Sequence, residues 1–345
     1  MSARLTILQP GPLTTVQDLG RTGFQAYGVP VCGALDPVAL RLANALVGND
    51  EGAAALEIRL AGPSFNVTGD IRLAVAGADV TIDVTTGDET RSHPAWRAID
   101  VPDGANVRVG ALRKSGGAIL AVAGGIDVPL VLGARATDLK GRFGGHQGRA
   151  LAAGDELAVG TVRLDSPCLE LPTPPALGFS GTLRVVLGPQ EDAFTEEALA
   201  AFLGTPWRVS READRMGMRL EGQALTFRAG ADIVSDGIAT GSIQVPGSGL
   251  PILLLADHQT IGGYAKVTTV ISADLPAAAR LLPGAEIRFA AISVAEAEEA
   301  RRGLEGEIVR LIRTMSPVRE AARIDLAALM GANLISGVVS GLESA

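Results

Sequence analysis

SDGIATGSIQVPGSGLPILLLADHQTIGGYAKVTTVISAD, residues 235–274, is the stretch on which the fold turns. Its apolar run Pro251–Ala256 has the length of a strand rather than a helix, and it empties into a polar, glycine-containing loop, as a short buried strand does. The same grammar recurs along the chain at Ile71–Ala76, Val80–Val84, Ile119–Ala123, Leu183–Leu187 and Ile287–Phe289. Forty-three glycines and nineteen prolines stand between such runs and supply tight turns. The pattern predicts a mainly β fold, barrel or sandwich, with flanking helices.

The helices carry end signals. Asp36 is an N-cap with Pro37 at the first helical position, and Ala39, Leu42, Ala43, Leu46 and Val47 form one apolar stripe before Gly48. A second helix runs from Thr195 through Leu203 to Gly204, and Ser293 with Glu296 makes a capping box opening a charged helix toward Arg313. A further helix is expected from Ser316–Pro317 to Met330. A chain of 345 residues exceeds the usual reach of one core. Two units, 1–175 and 176–291, with a helical tail over 292–345, follow from the proline-broken segment LDSPCLELPTPPALGFSG. IRLAGPSFNVTG from Ile58 resembles MRLEGQALTFRAG from Met218, and AILAVAGGIDVP from Ala118 resembles PILLLADHQTIGG from Pro251. Duplicated barrels account for this, as does chance among Gly- and Ala-rich strands.

Composition narrows function. The formal net charge is −8 and no Lys/Arg cluster is evident, which argues against nucleic acid as a partner. No stretch approaches the roughly 18 apolar residues of a membrane helix, and no leader is evident, so a cytoplasmic location is expected. Cys32 and Cys168 are the only cysteines and are read as core residues rather than disulfide or zinc ligands. There is no GxxxxGK[ST] loop, no strand-linked GxGxxG and no GxSxG elbow; His93, His146 and His258 stand far apart without an HExxH pattern. A metal site and a nucleotide site in this chain are therefore not expected.

Three polar clusters remain. In the first, Asp257, His258 and Gln259 emerge directly after Ile252–Ala256, and Gly262–Gly263 lead to Lys266, one of three lysines with Lys114 and Lys140. Lys266 is a candidate cation for an anionic substrate or oxyanion; the alternative is a solvated turn with a surface lysine. The second, from Gly124, places Arg135, Asp138, Arg142, His146 and Arg149 among glycines, suited to a carboxylate or phosphate, or else held by Arg–Asp pairs alone. The third holds Gln17, Asp18, Arg21 and Asp36, with Asp18 and Arg21 spaced for a local ion pair.

These segments, with PGPLTTVQDLGRTGFQAYGVPVCGALDP, ALRLANALVGN, AALEIRLAGP, GGIDVPLVLGARATDL, GRALAAGDEL and DRMGMRLEG, make most of residues 4–291 similar to the biotin-dependent-carboxyltransferase-like family. That family contains the carboxyltransferase domain of urea carboxylase, the antagonist KipA and the C-type subunit of 5-oxoprolinase. The resemblance implies two cyclophilin-like β-barrel domains. It further implies the C-type subunit of an ATP-dependent 5-oxoprolinase, which opens 5-oxo-L-proline to L-glutamate with subunits A and B, the KipI-like B-type chain being the direct partner. Lys266 or Arg135 would then meet negative charge, Asp257 would position water, Gln244 and Gln259 would bond the lactam amide, and Asp138 would line the substrate site. No cofactor is expected to be held tightly by this chain; ATP is used by the complex. The other readings are a biotin-dependent urea or amide carboxyltransferase component, in which biotin binds the same loop, and a KipA-like non-enzymatic antagonist of a kinase inhibitor. No Met-Lys-Met carrier motif occurs in these 345 residues. His258 in DHQT and Met218 in RMGMRL depart from the family pattern, where an arginine and an aromatic are expected.

Overall fold

The computed structural model describes residues 3–318 other than Val162 and Gly178. Ile71–Ala76 shows how sequence becomes architecture. Ile71, Leu73 and Val75 point into the core between two sheets, while Ala74 and Ala76 on the opposite face pack under a helix. One sheet has seven strands, in the order Ile126–Asp127, Glu156–Val159, Arg4–Gln9, Ser64–Thr68, Asn106–Val109, Thr81–Thr86, Glu89–Pro94. The other has five, Leu13–Gln17, Ala55–Arg59, Gly117–Val122, Ile71–Ala76, Ala98–Val101.

Helix α1, Pro37–Leu46, lies on the outer face of the five-stranded sheet, where Ala55, Ala74, Ala76 and Ala121 let it approach closely. Asp36 caps it as its sequence position requires, accepting from the Ala39 N–H at 2.9 Å. Leu40, Leu42 and Leu46 are buried there, each stabilising the helix by about 1.5–3 kcal/mol through burial.

The second half is a ring. Thr182–Leu187 pairs in parallel with Glu286–Ala291 on one side and antiparallel with Ile261–Val270 on the other, closing a seven-strand circuit through Trp207–Ala213, Gly217–Glu221, Ile252–Leu254 and Ser242–Val245. Asp232–Gly237 adds an eighth strand outside the ring, along Ile261–Val270. Helix α2, Glu196–Gly204, is capped by Thr195, and the short α3 covers Leu275–Ala279. Val185, Trp207, Val245, Leu253 and Val267 fill the ring together with Leu35, contributed by the first half. The suspected internal similarity has a structural counterpart: Ala55–Arg59 pairs antiparallel with Gly117–Val122, and Gly217–Glu221 pairs antiparallel with Ile252–Leu254. The two registers differ by two residues, which keeps the same side chains inward.

Helix α4, Val294–Thr314, opens with the foreseen capping box. It is more than a tail, because Ile308 and Leu311 are buried against the α1 layer and Arg41 reaches Glu305 at 2.7 Å. The helix expected to begin at Ser316–Pro317 does not begin there. Those residues are extended and pair with Leu169–Glu170, and the Val318 N–H continues the pairing to the Cys168 carbonyl at 2.8 Å. The residue before a proline is disfavoured in the helical region, and the ladder satisfies the backbone instead. The rest of that expected helix, to Met330, lies outside the described residues.

The loop before Glu156–Val159 is tied by one carboxylate. Asp155 accepts two bonds from Arg149 at 2.7 Å and one from the Ala152 N–H at 2.7 Å. The Arg149 bonds lead in holding its carboxyl down at about 2, below the ordinary 3.8. A depressed carboxyl stabilises the fold above its unfolded value and loses that contribution as pH falls through the folded one. Asp155→Asn is therefore expected to cost about 1–2 kcal/mol at pH 7, the half-exposed Arg149 screening part of the effect. The cost should shrink between pH 4 and pH 2, as read from urea midpoints; an equal cost at both pH values contradicts this.

Candidate functional site

The loop Asp257–Thr260 leaves the ring where the strand Ile252–Leu254 ends, and the long strand Ile261–Val270 returns from it. At that return a Cβ on Gly262 would lie 2.8 Å from Gln244 Nε2 and 2.8 Å from Ile238 Cδ1, so a larger residue there would displace the ends of those side chains. The loop separates two clefts. One, of about 480 Å³, lies between the halves, with Pro30, Asp138, Lys140 and Phe143 facing Asp257, His258 and Gln259. The other, of about 500 Å³, lies on the ring, lined by Asp214, Met216, Gln244, Leu254, Gln259 and Tyr264 among others. Gln259 lines both.

Beneath the loop lies a buried ion cluster that joins the halves. Arg215 holds both oxygens of Asp257, at 2.9 and 2.7 Å, bonds Glu57 through Nη1, and donates to the Gly33 carbonyl at 2.7 Å. Glu57 Oε2 in turn accepts from the Leu35 N–H at 2.7 Å. All three side chains are buried, so mutual pairing is what makes their charges tolerable. The two carboxylates keep the Arg215 guanidinium charged against its burial. Burial pushes the Asp257 carboxyl up, opposed by Arg215. Burial likewise drives the Cys32 thiol far above its usual range, with Asp257 and Asp138 adding to it, so Cys32 is a protonated core thiol rather than a nucleophile.

Behind Gln244, which lines the ring cleft, a second polar group is buried on the neighbouring strand. Lys266, 3% exposed, donates to Asp236 at 2.8 Å, and its backbone N–H donates to Gln190 Oε1 at 3.2 Å. Gln244 stands opposite Lys266 in the strand register and accepts from Gln259 Nε2 at 3.3 Å. Gln244 is 2% exposed, and its Nε2 has no hydrogen-bond partner among the described residues. Lys266 leads in holding the Asp236 carboxyl below its ordinary range. His258 is kept low by burial, and its contacts suit the neutral ring, with Nδ1 2.6 Å from the Gln259 carbonyl and Nε2 3.1 Å from the Thr240 hydroxyl.

The structure therefore sorts the candidates. Gln244, Gln259 and Lys266 form one neighbourhood. Asp257 and Asp138 belong to the cleft between the halves. Asp257, expected to position water, gives one acceptor position of each oxygen to Arg215 and is thereby tied into the ion cluster. Asp138 accepts from the Gly141 N–H at 2.7 Å and so fixes its own turn. Arg135 joins neither cleft: its side chain bonds the Val128 carbonyl at 2.8 Å and approaches Asp127 at 3.4 Å, so the anion role expected of it does not fit. Asp18 does not pair with Arg21; it bonds the N–H groups of Gly20 and Arg135, while Arg21 donates to the Ala136 carbonyl and stacks on Phe143. Sequence reasoning passed over Arg215, Glu57 and Asp236. Glu57, alone among the apolar residues of ALEI, was the legible sign of a buried charge needing a partner.

Among the described residues no group of three or more His, Cys, Asp or Glu is arranged to hold a metal, and no helix is long and apolar enough to cross a membrane. Residues 27–291 match the family model described as carboxyltransferase domain, subdomain A and B. The C-type subunit of 5-oxoprolinase from Escherichia coli (strain K12) is 40% identical over 302 residues, covering 86% of this chain and 94% of the relative. Its counterpart from Haemophilus influenzae is 35% identical over 305 residues, covering 86% and 94%. The crystal structure of Kluyveromyces lactis urea carboxylase superposes with a TM-score of 0.82 at 30% identity, over 89% of this chain but only 29% of that one.

Proposed function

The chain belongs to the carboxyltransferase family of subdomains A and B, and from that premise we propose that it is the C-type subunit of an ATP-dependent 5-oxoprolinase. In this reading it acts in the cytoplasm with subunits of types A and B, converting 5-oxo-L-proline to L-glutamate. The observation that carries the proposal is the buried, unpartnered Nε2 of Gln244, a residue that stands opposite the buried Lys266 in the strand register. A desolvated donor without an acceptor costs about 1–3 kcal/mol, and a ligand carbonyl at that position recovers it.

The substrate has matching groups: a lactam carbonyl that accepts, a ring N–H that donates, and a carboxylate. Gln244 Nε2 meets the carbonyl, the side-chain oxygen of Gln259 is an acceptor for the ring N–H, and Lys266 exchanges the half-exposed Asp236 for the substrate carboxylate. Asp257 supports this arrangement from below by fixing the loop that carries Gln259. Water then adds to the carbonyl carbon and the ring C–N bond breaks, the nitrogen leaving as the amine of glutamate. ATP makes this feasible by first phosphorylating the carbonyl oxygen, so that breaking the C–N bond leaves an acyl phosphate, which a second water cleaves to L-glutamate and phosphate. The chain has no phosphate-loop motif, and the ATP site is assigned to a partner.

Likeness to urea carboxylase supports a second reading, a biotin-dependent carboxyltransferase component, in which the same donors stabilise the ureido oxygen of biotin. Replacement in an E. coli extract lacking its own C-type protein separates the two. Restored ATP-dependent loss of 5-oxoproline, insensitive to avidin, supports the first reading, whereas no restoration by the folded chain counts against it.

A further inference from the structure

The hairpin Thr81–Thr86/Glu89–Pro94 is the free edge of the seven-stranded sheet, and Ala98–Val101 is the free edge of the five-stranded one. Between these edges the first half opens into a cleft of about 610 Å³, floored by Pro167, Cys168 and Val318. This size and placement, at the mouth of a β unit, are those of small-molecule sites. It shares no lining residue with the clefts around Asp257.

The cleft is lined by two carboxylates, Glu89 and Asp100, and two guanidinium groups, Arg91 and Arg97. Asp100 is held from the side by Arg72, at 2.7 and 3.1 Å, and Glu89 pairs with Arg91 at 2.8 Å. Arg97 is left: among the described residues its guanidinium makes no hydrogen bond or ion pair, and its Nε is buried without a partner. A guanidinium at the wall of a cleft, with a desolvated N–H unpaired, is half of a carboxylate site. His93 lies on the same wall, in the field of that charge: burial, then Arg97, then Arg91 hold its imidazole below the usual range. The remaining walls are Val84, Ala98, Ile99 and Pro102, apolar, with Thr86 beside them.

We propose that this cleft is a second binding site, for a small monocarboxylate with an apolar body whose anionic end is received by Arg97 and His93. The site is separate from the chemistry assigned to Gln244 and Lys266 and does not depend on that assignment.

The test is a 19F NMR titration of the intact chain with 4,4,4-trifluorobutyrate, with circular dichroism as the check on folding. Wild type is expected to give a saturable shift. Arg97→Gln should weaken binding about tenfold or more, Arg97→Lys should keep part of it, and Lys266→Met should leave it unchanged. Absence of a saturable shift in wild type overturns the proposal, as does a folded Arg97→Gln that binds like wild type. Displacement by an equal concentration of inorganic phosphate also overturns it, since the cleft would then hold any anion. Should Arg97→Gln not fold, His93→Gln decides: weaker binding supports the site, and unchanged binding contradicts it.

Discussion

Replacing Arg215 with methionine is expected to lower stability at pH 7 by about 3–5 kcal/mol, the cost of leaving buried carboxylates without their cation. Asp257 loses both of its Arg215 bonds, Glu57 loses one, and the Gly33 carbonyl loses its donor. The size of the effect follows from position, because the cluster joins the strand Ala55–Arg59 of the first half to the loop Asp257–Thr260 of the second. It also carries a pH signature. Burial already holds the Asp257 carboxyl above its ordinary value, and Arg215 is the main influence against that rise. With the arginine gone the carboxyl rises further, and a raised carboxyl favours the fold below its unfolded value while losing that advantage as pH rises through the folded one. The deficit of Arg215→Met should therefore be smaller at pH 5 than at pH 8. Urea midpoints at the two pH values check this, and a deficit that grows on acidification contradicts it.

Lys266→Met should leave the fold nearly untouched and remove about 100-fold of the activity of the assembled enzyme, the scale of losing the cation that holds and orients the substrate through its carboxylate. The methionine fills the lysine's path, and the partner left behind, Asp236, has a side chain 53% exposed and hydrates readily. Size-exclusion chromatography with the partner subunits separates chemistry from docking. Normal assembly with lost turnover places Lys266 in the reaction. Full activity removes it, and would favour a KipA-like chain whose work is binding alone.

Much of this molecule was legible before its structure. Asp36 and Pro37, Thr195, and Ser293 with Glu296 announced three helix starts because caps are local chemistry, contained within four residues. Ile71–Ala76 announced a strand, though not which side chains face the core and which the helix. Ser316–Pro317 misled because a serine before a proline opens a helix only if no strand is waiting, and the waiting strand, Leu169–Glu170, lies far off in sequence. The site divided in the same way. Lys266, Gln244 and Gln259 were candidates because they stand in one short stretch of sequence, and the fold keeps them together. The true employment of Asp257 was hidden, since its partner Arg215 is 42 residues away and Glu57 is 158 residues from that arginine. Arg135 looked like an anion receptor among glycines, but the nearest acceptor, the Val128 carbonyl, claims it. No periodicity encodes such long-range pairings.

In the proposed function this chain is one necessary part of a 5-oxoproline-opening enzyme. Its most direct test is ATP-dependent glutamate release from 5-oxo-L-proline by the purified chain mixed with candidate A- and B-type partners, each omitted in turn. The account predicts release only when all three are present, and its loss when this chain carries Lys266→Met. Undiminished release without this chain, or none from three folded proteins that assemble, would contradict it.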